Sequence, residues 1–141
     1  MENYIIDALN PPTITCVVAQ KGTIVYTASG LGVKPLLTLY RENPELLAGA
    51  SVADTIVGKA AAVLLVLAKA TCVHGVTMSR AAQEYLDLYG IAHSCEQEVP
   101  LILNRSGDGS CPLEAAVSAL SDPHEAYAAL IAQIEVLMQG G

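Results

Sequence analysis

The sequence predicts an α/β fold: a three-layer α/β/α arrangement with one mixed sheet of four to five strands that opens with a β-hairpin. Three observations predict it. Short β-branched segments alternate with longer apolar stretches after an initial pair of strands, the order expected of a sheet flanked by helices. Hydrophobic residues make up 52% of the chain and charged residues 15%, so both faces of a sheet can be covered. The length, 141 residues, suits a single domain over 1–141 with one core.

The elements follow in order. Residues 2–10 read as a short helix ended by Pro11-Pro12, and residues 13–19 (TITCVVA) as a strand. The turn Gln20-Lys21-Gly22 leads into a second strand, residues 23–28 (TIVYTA); so short a connection makes a hairpin. Pro35 suits the first position of a helix that stops near Asn43-Pro44. Ser51 reads as the N-cap, with Asp54 at N3, of a helix over roughly 52–69 that is apolar on nearly all sides and therefore buried. Residues 71–78 (TCVHGVTM) read as a strand, with His74 on one face beside Cys72, Val76 and Met78. Ser79 caps a helix that Gly90 ends, and residues 91–99 form a further strand. After a loop, Pro112 opens a helix that Asp122-Pro123 breaks. Asp122, Pro123 and Glu125 then fit N-cap, N1 and N3 of a final helix ending near Met138.

Composition excludes several functions. The formal net charge is −7, with 7 Lys plus Arg against 14 Asp plus Glu, too few cations for a nucleic-acid polymer partner. A small anionic ligand held by one or two cations and backbone N–H groups stays open. The longest apolar run, residues 60–68, is too short to span a bilayer, and MENYIIDALN does not read as a signal peptide. No membrane partner is expected, and a cytoplasmic location is. The four cysteines (Cys16, Cys72, Cys95, Cys111) form no close pair, so reduced thiols are expected, and neither zinc nor a cofactor.

Few motifs carry chemistry. Gly58-Lys59-Ala60 resembles the end of a phosphate loop. However, Ala53 stands where that motif needs Gly, Ala60 where it needs Ser or Thr, and the segment falls inside the expected helix. Gly30-Leu31-Gly32 lacks the third glycine of a dinucleotide site. Lys59 is a cation in apolar surroundings, and Gly58 beside it implies a close approach by backbone or ligand. In GDGSCPLEAA, Gly107 and Gly109 free the backbone to present N–H groups to an anion. Cys111 falls at the N-cap of the following helix and Glu114 at N3, placed to fold back as in a capping box. A helix start lowers a thiol's pKa, so Cys111 is a candidate nucleophile, although none of His74, His93 and His124 has a context that marks it as its base.

The segments GLGVKPLL, LLAGASVADTIVGKAAA and VPLILNRSGDGSCPLEAAV resemble, along nearly the whole chain, the bacterial and archaeal family catalogued as domain of unknown function 1893. The resemblance implies a cytidine-deaminase-like fold without the zinc site. Zinc deaminases carry HxE and PCxxC motifs. In this chain the helix starts at Ser51 and Cys111 would take those places, with no histidine at the first and one cysteine before the proline at the second. Zinc-dependent deaminase activity is therefore not expected, but the cleft between two helix starts is. Asp54, Lys59, Asn104, Arg105, Cys111 and Glu114, with Gly107 and Gly109, are the candidate ligand-binding residues.

Three functions compete. The first is binding of a small nucleotide-like or other anionic ligand in that cleft. The second is a metal-free enzyme using Cys111 as nucleophile, or Asp54 and Glu114 as acid and base. The third is a non-catalytic subunit that spends its apolar surplus on a homo-oligomeric interface.

Overall fold

The computed structural model describes residues 1–30, 32–104 and 106–139. One mixed sheet runs through it in the order β2-β1-β3-β4-β5. Helix α1 (Asn3–Asp7) precedes the hairpin of β1 (Cys16–Gln20) and β2 (Thr23–Ala28). The two hairpin strands pair antiparallel, and the turn between them holds Lys21 and Gly22 at φ 51° and 79°. Both positive values are what a tight turn matched to strand twist requires, and Gly22 meets that demand without strain.

Helix α2 (Lys34–Glu42) starts one residue before Pro35, and a 3₁₀ turn follows it. Next come β3 (Ser51–Val57), α3 (Lys59–Leu67), β4 (Cys72–Ser79), α4 (Arg80–Leu88) and β5 (Ala92–Val99). Strand β3 pairs antiparallel with β1 and parallel with β4, which pairs parallel with β5. The chain thus makes two successive crossovers in one direction. Crossovers of the right-handed kind place α3 and α4 on the same face. Helices α5 (Pro112–Val117) and α6 (Pro123–Gln139) pack against α3 on that side. Val18, Val52, Val73 and Met78 of the sheet share a core there with Leu36, Leu64, Leu86 and Leu130 of the helices. The other outer layer is α1, whose Ile5 covers Val17, Ala19 and Ala53.

The main correction concerns residues 51–69. They are not one helix: Ser51–Val57 is the central strand and the helix begins at Lys59. Ser51 is therefore no N-cap, and Asp54 is not at N3. The strand carries Ser51 and Asp54 at the spacing of a helix cap and passes into an apolar helix with only Gly58 between, so the pattern alone reads the two as one helix. Gly58-Lys59-Ala60 accordingly sits at a strand-to-helix turn, the context a phosphate loop would have, although its other motif residues are absent. A second correction concerns β4. Val73 and Met78 both lie in the helix-side core, and a Cβ on Gly75 would stand 3.4 Å from that of Met78. Strict alternation breaks between 75 and 78, so His74 does not share a face with Met78.

Of the other boundaries, α1 ends at Asp7 and not at Pro11-Pro12, β1 begins at Cys16 and not at Thr13, and α5 stops at Val117, before Asp122-Pro123, while both ends of α4 and the start of α6 follow the sequence. Ser79 Oγ accepts from Ala82 N at 3.1 Å and caps α4, and Gly90 ends it at φ 72°. Replacing Ser79 with Ala is expected to lower stability by about 1 kcal/mol, read as a reduced urea midpoint at unchanged slope. Asp122 Oδ2 accepts from Glu125 N at 2.9 Å at the start of α6. No helix among the described residues is long and apolar enough to cross a membrane.

Candidate functional site

Helix α3 begins abruptly. Gly58 is still extended (φ −101°, ψ −178°), and the first N–H groups of the helix have no partner within it. Lys59 N donates to Glu114 Oε1 at 2.7 Å and Ala60 N to Glu114 Oε2 at 3.1 Å. The cap therefore comes from the first turn of α5, more than fifty residues on. Its approach needs Gly58: a Cβ there would lie 2.5 Å from the carboxyl carbon and from both oxygens of Glu114. The close contact implied by this glycine is thus a carboxylate of the chain itself.

Lys59 answers in kind. Its ammonium donates to Ser118 O, at the carboxyl end of α5, at 3.1 Å, and stands 5.3 Å from the centroid of the Tyr85 ring. Helices α3 and α5 cap each other, one with a carboxylate and the other with an ammonium. Burial raises the Glu114 pKa, against the two N–H groups and the Lys59 charge that lower it. Burial lowers that of Lys59, while Glu114 raises it.

Beside this contact lies a cleft of about 240 Å³, lined by Lys59, Glu114 and Ser118, by Ser79 and Ser110, and by an apolar wall that includes Leu101 and Ile102. It sits where β3, β4 and β5 end, the place where open α/β sheets hold their ligands. A wider hollow of about 440 Å³ lies near α1 and the hairpin turn, at the start of β3, and holds none of the candidate side chains.

The two helix starts that meet are thus at Gly58 and Cys111, not at Ser51 and Cys111. Lys59 and Glu114 are brought together. Asp54 is not among the lining residues: it is buried in β3, opposite Cys16 in register, and its Oδ1 accepts from Thr55 N at 2.7 Å. Burial raises its pKa to about 7, against backbone N–H groups that lower it. Burial and the Asp54 charge push the Cys16 thiol up as well. Among the described residues no hydrogen bond joins Asp54 to Glu114.

Cys111 is the N-cap residue of α5 as expected, but its side chain makes no capping bond, and its N–H donates to Ile102 O at 2.9 Å. Glu114 does not fold back on Cys111; it crosses to α3, because the bare N-terminus there is within reach and Gly58 leaves room. The glycine loop closes on itself. Asn104 Oδ1 accepts from Gly107 N at 2.8 Å and Asp108 N at 3.3 Å, and Asn104 N donates to Gly109 O at 2.8 Å. Those N–H groups point at Asn104. Arg105 lies outside the described residues.

Sequence reasoning missed Ser118, Tyr85 and the 100–102 wall. Ser79 was legible only as a cap. The signal available for Tyr85 was its place on the buried face of α4.

The residues present do not fit a deaminase zinc. At the start of α3 stand Gly58, Lys59 and Ala60, with no histidine, and at α5 only Cys111 offers a soft donor. Among the described residues, no group of three His, Cys, Asp or Glu side chains could hold a metal ion.

A search of curated proteins finds no match. A solved structure, that of a DUF1893 family protein from Thermotoga maritima, is similar along 94% of this chain and 92% of its own, at 25% identity and a TM-score of 0.82. The profile of the family described as domain of unknown function (DUF1893) matches residues 4–134, and the chain belongs to that family.

Proposed function

We propose that the protein binds a small nucleotide-like or other anionic ligand in the cleft at the carboxyl ends of β3, β4 and β5, on a deaminase-like scaffold that works without a metal. The observation that carries this reading is the pairing of the Lys59 ammonium with an apolar wall, Leu101 and Ile102, in one cleft. A ring or aliphatic body rests on such a wall, and the charged end reaches the cation. Ser110 lines the same space and adds a hydroxyl donor, whereas the Ser118 hydroxyl already donates to Ala115 O at 3.0 Å and Ser79 Oγ caps α4. The meeting of two helix starts, at Gly58 and Cys111, supports the deaminase-like scaffold. The bare N–H groups that a helix start would offer an anion are already taken by Glu114, so Lys59 is the charge on which affinity depends.

Thermal-shift titration with nucleoside phosphates and sugar phosphates tests the reading. A ligand present at a hundredfold its Kd adds about 2.7 kcal/mol. At least one member of the set is expected to raise the melting temperature of the wild type and to leave that of Lys59→Met, measured against its own unliganded form, unchanged. No shift with any of them overturns the reading.

A second reading has one observation in its favour. Glu114 lines the cleft, and burial raises its pKa, the direction a general acid needs, against the two N–H groups and the Lys59 charge that lower it. It makes Glu114 the acid of a metal-free enzyme acting on the same ligand. The version that pairs Asp54 with Glu114 has no contact between them in its support.

A further inference from the structure

A second group of chemistry-bearing side chains lies on the opposite face of the sheet. His74 of β4 is 5% exposed and stands directly across from Ser94 of β5. Its Nδ1 is 2.8 Å from Ser94 Oγ, and its Nε2 is 3.3 Å from Glu96 Oε2, two residues further along β5. Period-two alternation puts Ser94 and Glu96 on one face of that strand. In register with His74 on the other side is Ala53, part of the patch that α1 covers. The imidazole is therefore tucked in at the margin of that patch, while Ser94 is exposed and the Glu96 side chain is 58% accessible.

One neutral tautomer satisfies both contacts. With the proton on Nε2, His74 donates to Glu96 and its Nδ1 accepts from the Ser94 hydroxyl. A nucleophile in hydrogen-bond reach of a base, with the base oriented by a third group, is the recognisable signature of an activated hydroxyl. We propose that Ser94, His74 and Glu96 form a nucleophilic site, separate from the cleft, that takes activated acyl or phosphoryl esters from the open sheet face.

The step balances without a co-reactant. Ser94 Oγ attacks the carbonyl carbon or the phosphorus, and a new bond to Oγ forms. The hydroxyl proton passes to His74 Nδ1, and Glu96 stabilises the resulting imidazolium. The bond to the leaving group breaks, and that group departs with the electron pair and takes the proton from His74. His74 is the base and Glu96 its orienting residue.

The probe is a fluorophosphonate, whose leaving group is fluoride, applied to the full-length folded protein and followed by intact mass and peptide mapping. A single adduct on Ser94 is expected, formed faster than on the urea-unfolded chain and absent in Ser94→Ala. Removing the base in His74→Gln is expected to slow labelling about 100-fold or more. Should His74→Gln not fold, Glu96→Gln alters only an exposed carboxylate and is expected to slow labelling, since the base loses the group that orients it. The proposal is overturned by a wild type that labels no faster than the unfolded chain or by an adduct that persists in Ser94→Ala. A folded His74→Gln, or a Glu96→Gln, that labels at the wild-type rate overturns it equally, since a histidine with a purely structural role gives that result.

Discussion

Truncating Glu114 to Ala is expected to destabilise the protein by about 3 kcal/mol and to lower its melting temperature by roughly 10 °C. The carboxylate holds two N–H groups that α3 cannot satisfy alone, at 2.7 and 3.1 Å. Hydrogen bonds to a charged acceptor each contribute about 1.5–3 kcal/mol, and the pair shares one side chain, so the sum is less than additive. Glu114→Gln keeps one acceptor oxygen and is expected to lose about half as much. Gly58→Ala tests the same contact from the other side. Its Cβ would fall 2.5 Å from the carboxyl atoms, so the carboxylate must leave its place. Chemical denaturation of the two single variants and the double variant measures the coupling. The double variant should lose little more than Glu114→Ala alone, because one contact is removed twice. A Glu114→Ala protein within about 0.5 kcal/mol of the wild type sinks this account of the α3–α5 contact.

Replacing Asp54 with Asn is expected to stabilise the protein at alkaline pH and to leave it nearly unchanged in acid. Burial raises the folded-state pKa of Asp54 from 3.8 to about 7. A raised pKa means that the folded state holds the proton more tightly than the unfolded chain. The favourable contribution is therefore complete below the unfolded value and is lost as pH rises to the folded one. Between those limits stability falls by up to about 1.4 kcal/mol per pH unit, for a total of order 4 kcal/mol. Asn keeps the shape and an acceptor for Thr55 N but does not ionise, so the slope disappears. Urea unfolding of both proteins at pH 4, 6 and 8 shows the difference. A gap between them that does not change with pH refutes the argument. The neighbouring Cys16 thiol, pushed up by burial and by the Asp54 charge, stays protonated across that range and does not confuse the comparison.

The parts of the fold marked by turn chemistry were legible in the sequence. Lys21-Gly22, Ser79, Gly90 and Asp122-Pro123 announce the hairpin turn, the two ends of α4 and the start of α6, and those points lie where they were expected. Strand β3 was not legible. Ser51 and Asp54 have the spacing of a helix cap, and only Gly58 separates Ser51–Val57 from the apolar Lys59–Leu67. Pattern alone does not divide a strand buried on both faces from a buried helix that follows it. Placing that boundary wrongly moved the helix start by seven residues and placed Asp54 at a site where it does not belong. Lys59 and Glu114 survived the error for different reasons. Lys59 was singled out as a cation in apolar surroundings, and its position at the new helix start keeps it at the cleft. Glu114 was singled out as a partner for its own helix, but its true partner lies fifty-five positions earlier, and sequence spacing cannot show that. The Asn104 loop was read from its glycines as open to an anion, because the reach of the Asn104 side chain to the N–H groups of Gly107 and Asp108 depends on how the loop folds.

The fit of a carboxylate into the space that Gly58 leaves makes two distant positions of the chain answer for each other. A side chain can appear at 58 only where 114 has given up its reach, and a shortened 114 removes the need for glycine at 58. Wherever relatives differ at one of these positions, they should differ at the other, so the two would drift through descent as a linked pair.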